Sequence, residues 1–141
     1  MKKIRYVDLS VKDKNLRKAY ITSLNKIFNH GRFILGPEVD ILEKKLANFC
    51  NRKYAVATGS GTDALYLAIK SLELEKNDEI ITTPMSWVSS TNAIALNNVK
   101  PVFADINEDL NINVNKIEKL ISKKIKAILF VNFTGKICDF N

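Results

Sequence analysis

The stretch "ATGSGTDALYLAIKSL", residues 57–72, puts a turn of small residues between an apolar run and an amphipathic one. The apolar run "YAVAT" (54–58) predicts a strand, and the apolar spacing that follows predicts a helix over 62–73. A turn built from Gly59 to Thr62 would then open that helix, where the first free N–H groups can hold a phosphate. A helix start capped by Ser or Thr, with no ligand, fits the same residues equally well.

The rest of the chain alternates between helical and strand patterns. The other predicted helices cover 13–29, 36–50, 87–97 and 115–122, and the other predicted strands cover 79–83, 101–106 and 126–133. Strands that are apolar throughout and separated by helices indicate an α/β fold, with a mostly parallel sheet covered by helices on both faces. Because the sequence stops just after a strand of the buried type, we expect it to be the front part of a longer protein, incomplete at its C-terminus.

Composition excludes several classes of function. The net charge is +7, and the basic residues of its most basic segment, 1–53, are spaced along two amphipathic helices without the motifs of a nucleic-acid binder, so we expect no nucleic-acid partner. The longest apolar runs, such as 127–131, are too short to cross a bilayer, and no signal peptide precedes them; we expect a cytoplasmic protein without a membrane partner. Cys50 and Cys138 have no metal-ligand spacing, which predicts reduced thiols and no metal site.

The glycine turn must be tested against the nucleotide-binding motifs that it resembles locally. Gly59 to Ala64 satisfies the GxGxx(G/A) form of a Rossmann dinucleotide site, but that site also needs an acidic residue at the end of the second strand. Asp78 and Glu79 precede the second strand here, and its far end, "TTPMSW" (82–87), has no acid. A P-loop is excluded because no lysine follows Gly61. A Rossmann oxidoreductase therefore remains only the alternative interpretation.

The loop after the second strand favours a bound ring. Trp87, the one tryptophan of the chain, comes just beyond the carboxyl end of this strand, the edge at which parallel α/β sheets bind ligands. An indole there could stack on a flat heterocycle. A tryptophan packed into the core under the following helix is the competing interpretation, against which the polar run of residues 86–92 argues.

These motifs occur together, in order, in one known family. The chain resembles the DegT/DnrJ/StrS-type sugar aminotransferases, fold-type-I enzymes that use pyridoxal 5′-phosphate, from about residue 4 to its end. The resemblance is carried by "ILGPEVDILEKKLANFCNRKYAVATGSGTDALYLAIKSL" (34–72), "DEIITTPMSWVSSTNAIALNNVKPVFADI" (78–106), "KAILFVNFTG" (126–135) and "CDFN" (138–141).

The resemblance implies roles for four residues. Ser60, Gly61 and Thr62 match the segment that holds the cofactor phosphate, chiefly through backbone N–H groups, and Trp87 matches the aromatic residue that lies against the pyridine ring. Three further positions receive no role in the chemistry: Asn132, where many members have histidine, and Asp139 and Asn141 of the final segment, in which Asn141 replaces an acid.

The resemblance also implies what the parent protein does. It would transfer an amino group from an amino acid, commonly glutamate, to a keto-sugar attached to a nucleotide, for amino-sugar or surface-polysaccharide synthesis, and it would act as a homodimer. Residues 1–53 would form an N-terminal helical segment, and residues 54–141 the first part of the cofactor-binding domain. In the family the aspartate facing the pyridine nitrogen and the Schiff-base lysine come later than residue 141, so no residue here is predicted to be catalytic. We therefore expect this chain alone to be inactive; an inactive remnant or regulator of the same fold is a further alternative.

Overall fold

The computed structural model describes residues 6–139, and the chain divides into two compact units with the boundary between Ala57 and Thr58. The first unit contains helices α1 (Lys14–His30) and α2 (Pro37–Phe49). The side chain of Asp13 caps α1 by accepting the N–H of Leu16 at 2.7 Å. Within the described residues, no helix is both long enough and apolar enough to cross a membrane.

The second unit is built on a parallel three-stranded sheet. Its elements are α3 (Gly61–Lys70), β1 (Glu79–Thr82), α4 (Val88–Leu96), β2 (Lys100–Phe103), α5 (Val114–Ile117) with a 3-10 turn at Glu118–Leu120, and β3 (Ile125–Leu129) with a 3-10 turn at Phe133–Gly135. The strand order is β2-β1-β3, so β1 is the central strand. The α/β class and the parallel sheet predicted from the sequence are confirmed.

Each face of this sheet carries its own apolar core. Successive side chains of a strand point to opposite faces, and the central pair Ile80 and Ile81 divides accordingly. Ile80 packs with residues of α3 and α4, including Ile69 and Ile94. Ile81 packs in a separate cluster that includes Ile117 of α5. Helices therefore cover both faces, as the apolar strands predicted.

The strand order reverses at β1. The chain passes from β1 through α4 to β2 on one side, and then through α5 to β3 on the other side of β1. In parallel α/β sheets, the crevice outside the carboxyl ends of the strands at such a reversal is the usual position of a ligand. The loop after β1, residues 83–87, begins at this point.

The predicted strand at 54–58 is wrong. Although the run is apolar, a strand also needs a neighbouring strand for its backbone hydrogen bonds, and these residues have none within the described chain. The N–H of Ala57 instead donates to the Glu43 carboxylate, at 2.7 Å.

The last strand is shorter than predicted. It ends at Leu129 and does not continue to residue 133. The N–H of Phe133 donates to the side-chain oxygen of Asn111 at 3.2 Å, so this N–H is not available for a hydrogen bond to a neighbouring strand.

Candidate cofactor site

The turn before α3 is organised by Ser60. Its hydroxyl oxygen accepts the N–H of Asp63 at 3.1 Å and caps the helix. The same hydroxyl donates to the Asp63 carboxylate at 2.9 Å. The carbonyl of Ser60 accepts the N–H of Ala64. Ser60 therefore accepts the N–H groups of the third and fourth residues of the helix, and the N–H groups of the first two residues remain without a partner in this cap.

The first two amide groups of α3 belong to Gly61 and Thr62. Within the described residues neither N–H has a hydrogen-bond partner. A Cβ added at Gly61 would meet no atom within 4 Å, so the space in front of this turn is open. Unpaired N–H groups at the positive end of a ten-residue helix, beside open space, suit an anion.

Buried threonine hydroxyls hold the loop at the carboxyl end of β1. Thr82 donates its hydroxyl to the carbonyl of Leu129 in β3, at 2.9 Å. Thr83 accepts the N–H of Met85 at 3.1 Å and so starts the turn. Further along, the Ser86 and Ser90 hydroxyls are 2.7 Å apart. These bonds fix the path of the chain up to Trp87.

Trp87 immediately precedes α4 and is 79% exposed. The interpretation of this residue as a core tryptophan is therefore wrong. A large apolar ring left in solvent at the ligand-binding edge of a sheet is available to cover a flat molecule.

A hydrogen bond joins the starts of α3 and α4. Thr62 donates its hydroxyl to Ser89 at 2.9 Å, and Ser89 is two residues after Trp87. The structure thus places three of the predicted residues in one turn and connects that turn to the helix that Trp87 precedes. Their contact with a cofactor stays a prediction. The contact of Ser89 was not predicted from the sequence, although the polar run at 86–92 was a signal of it.

Asn132, where many family members have histidine, and the residues near it form hydrogen bonds that support a loop after β3. Asn132 accepts the N–H of Cys138 at 2.9 Å, which gives this residue a structural contact. Asp109 accepts the N–H of Asn111 at 3.1 Å, and Lys136 lies 3.4 Å from its other oxygen. That N–H, helped by Lys136, holds the pKa of Asp109 below the ordinary aspartate value. Asn141 lies outside the described residues.

The model of the DegT/DnrJ/EryC1/StrS aminotransferase family matches residues 14–141, which is most of the chain. The chain belongs to this family. The resemblance drawn from the motifs is confirmed, and a Rossmann oxidoreductase is not favoured.

Individual members of the DegT/DnrJ/EryC1/StrS family match nearly all of this chain. The UDP-2-acetamido-2-deoxy-3-oxo-D-glucuronate aminotransferase of Pseudomonas aeruginosa is 33% identical over 98% of the chain and 39% of the relative. The dTDP-3-amino-3,6-dideoxy-alpha-D-galactopyranose transaminase of Aneurinibacillus thermoaerophilus is 36% identical over 96% of the chain and 38% of the relative. The chain therefore spans about two fifths of the length of these curated relatives.

A solved member carries the cofactor. The Bacillus subtilis protein NtdA, solved with bound cofactor PMP, superposes with a TM-score of 0.84 and is 31% identical, over 90% of this chain and 29% of that one. PMP is the amine form of pyridoxal 5′-phosphate, which is the cofactor of the DegT/DnrJ/EryC1/StrS family. The open space at Gly61, the unpaired amide groups and the exposed indole are compatible with its phosphate and its ring. The part of the chain that the structure describes contains no cluster of metal-ligating side chains.

Proposed function

We propose that this chain supplies the phosphate-holding turn and the ring-covering indole of a pyridoxal-phosphate aminotransferase. One observation supports the proposal most strongly: the turn with unpaired amide groups is hydrogen-bonded to the helix that follows the exposed Trp87. An anion and a flat ring could then be held together by two neighbouring segments of the fold.

The residues present would bind and orient the cofactor. The N–H groups of Gly61 and Thr62, aided by the helix dipole, would hold the phosphate, and Ser60 would keep the turn in shape through its cap. Trp87 would cover one face of the ring. When bound, pyridoxal phosphate supplies the electron sink that makes amino transfer possible, while the protein supplies orientation.

The activity of the parent protein is part of the same proposal. The substrate would be a keto-sugar linked to a nucleotide, a class that the activities named for both relatives support. The amino donor would be an amino acid, glutamate by the family resemblance, and the protein would be a cytoplasmic homodimer. The 141-residue chain alone would not transaminate, because none of its lysines matches the family's covalent lysine.

Binding of pyridoxamine 5′-phosphate to the chain tests the proposal. This probe has no aldehyde and therefore cannot modify the surface lysines, as pyridoxal phosphate would. Because Trp87 is the one tryptophan, quenching of its fluorescence reports on the ring directly. We expect saturable quenching by pyridoxamine 5′-phosphate, and at least tenfold weaker binding of pyridoxamine, which lacks the phosphate.

Two controls complete the experiment. Trp87→Phe should remove the fluorescence signal while equilibrium dialysis still detects binding, with weakened affinity. NAD should produce no saturable effect. Absence of binding in dialysis at millimolar probe, or tighter binding of NAD, would show that the proposed function is wrong.

A further inference from the structure

Two consecutive serines at the start of α4 make hydrogen bonds in different directions. Ser89 accepts the hydroxyl of Thr62, which is 27 residues earlier in the chain, at 2.9 Å. The buried Ser90 is bonded to Ser86, in the loop that leads to Trp87, at 2.7 Å. One serine therefore contacts the phosphate turn, and the other contacts the segment carrying the indole.

The start of α4 has no side-chain cap. Trp87 occupies the N-cap position, and its indole makes no capping hydrogen bond, so the first turn lacks the side-chain cap found at α3. The apolar contact between the two helices involves Ile69 of α3 and Ala93 and Ile94 of α4, which lie toward the carboxyl ends of both helices. Apolar packing is not directional. Hydroxyl bonds at the opposite end can therefore fix the relative position of the two helix starts.

We propose that Ser89 and Ser90 are positioning residues that set the distance between the phosphate-holding turn and the indole of Trp87. The inference rests on the proposed function, since that distance matters only if both segments bind one molecule. A cofactor's phosphate and ring are separated by a fixed covalent length, and a site must match such a length within about 0.5 Å to hold both. Neither serine is assigned a contact with the reacting atoms.

Serine-to-alanine variants with a matched control test this inference. Ser89→Ala removes the bond to Thr62, and Ser90→Ala removes the bond to Ser86. The control is Ser71→Ala, which removes a hydroxyl bonded only to the carbonyl of Ala68 in its own helix. Circular dichroism would verify that each variant is folded. Ser86→Ala removes the same bond as Ser90→Ala from the loop side, in case the buried position does not tolerate substitution.

Two measurements separate positioning from general stability. The first, made without ligand, is the time-resolved fluorescence anisotropy of Trp87, in which we expect a larger amplitude of fast indole motion in the variants of Ser89 and Ser90 than in wild type. The second is the affinity for pyridoxamine 5′-phosphate, which we expect to fall about threefold to tenfold, the usual effect of one lost hydrogen bond. Ser71→Ala should match wild type in both, and Ser89→Thr, which restores the hydroxyl, should recover most of the affinity.

Several outcomes would overturn the inference. Unchanged indole motion together with unchanged affinity in both variants would do so, as would equal losses in Ser71→Ala. If wild type does not bind the probe, the proposed function fails. In that case, the fluorescence anisotropy of Trp87 measured without ligand still tests whether the two serines position the indole.

Discussion

At the scale of single residues, Gly61 is a position at which the requirements of folding and of phosphate binding differ. It occupies the first position of α3 with an ordinary helical backbone, and a Cβ there meets nothing within 4 Å. Alanine is favoured over glycine in a helix by up to about 1 kcal/mol. The conformation of the free protein therefore does not require glycine at this position, whereas close approach of a phosphate to the amide group would.

We predict that Gly61→Ala raises stability and lowers affinity. The free energy of unfolding should rise by about 0.5 kcal/mol, because the unfolded chain loses conformational freedom. The affinity for pyridoxamine 5′-phosphate should fall at least fivefold, because the added methyl group projects into the space that the phosphate needs. Urea unfolding measures the first quantity, and quenching of Trp87 fluorescence the second.

Gly31→Ala provides the contrasting substitution. Gly31 also has open space around its Cβ position, but its φ of 67° lies in the left-handed region, at the end of α1. Alanine there should reduce stability by about 1 kcal/mol and leave ligand affinity unchanged. A Gly61→Ala variant that binds as tightly as wild type would contradict the assignment of this turn to the phosphate.

At the scale of secondary-structure elements, the sequence predicted what depends on local pattern. Apolar periodicity predicted the helices and the three strands of the sheet, and the small residues at 59–62 predicted the turn at which α3 starts. The strand at 54–58 could not be judged in this way, since a strand depends on a neighbour elsewhere in the chain. The bond from Thr62 to Ser89 could not be predicted from local pattern either, because it depends on how two helices pack.

The loops after β2 and β3 are joined by a polar cluster whose strength depends on pH. Asn111, 2% exposed, accepts the N–H of Phe133 and donates to the carbonyl of Lys136, and Asp109 accepts the N–H of Asn111. Because the pKa of Asp109 is lower in the folded protein than in the unfolded chain, its carboxylate contributes stability above the ordinary aspartate pKa. That contribution is lost as the pH falls through the folded-state value.

We predict that Asp109→Asn is less stable than wild type at pH 7, and that the difference disappears in acid. The amide can still accept the N–H of Asn111 but has no charge to interact with Lys136. The urea midpoints of the two proteins should converge as the pH falls below the ordinary aspartate pKa and the Asp109 carboxylate becomes protonated. Asp105→Asn serves as a control for the substitution itself, because the Asp105 carboxylate accepts the N–H of Ile106 and forms no ion pair within the described residues. A gap for Asp109→Asn that widens in acid would contradict the assigned direction of the pKa shift.

At the scale of the whole molecule, many large apolar side chains are exposed. Helix α1 contains no buried residue, and Leu16, Tyr20, Leu24 and Phe28 repeat every four residues along it, each at least 44% exposed. Residues at this spacing form one continuous helix face. Soluble monomers rarely leave such a face uncovered, so it favours association with another apolar surface.

We predict that the chain self-associates through this face of α1. Sedimentation velocity should show a weight-average mass that rises between about 1 and 100 μM, and the double substitution Tyr20→Lys with Leu24→Lys should shift this rise to at least tenfold higher concentration. The control, Asn15→Lys with Thr22→Lys, adds the same charge on the opposite face of the same helix, about 160° and about 180° respectively from the centre of the apolar stripe by the 100° turn per residue. Because both variants carry two additional positive charges, charge repulsion alone would weaken association equally in both. Equal effects, or a wild-type chain that stays monomeric throughout the range, would mean that the apolar face of α1 does not mediate association.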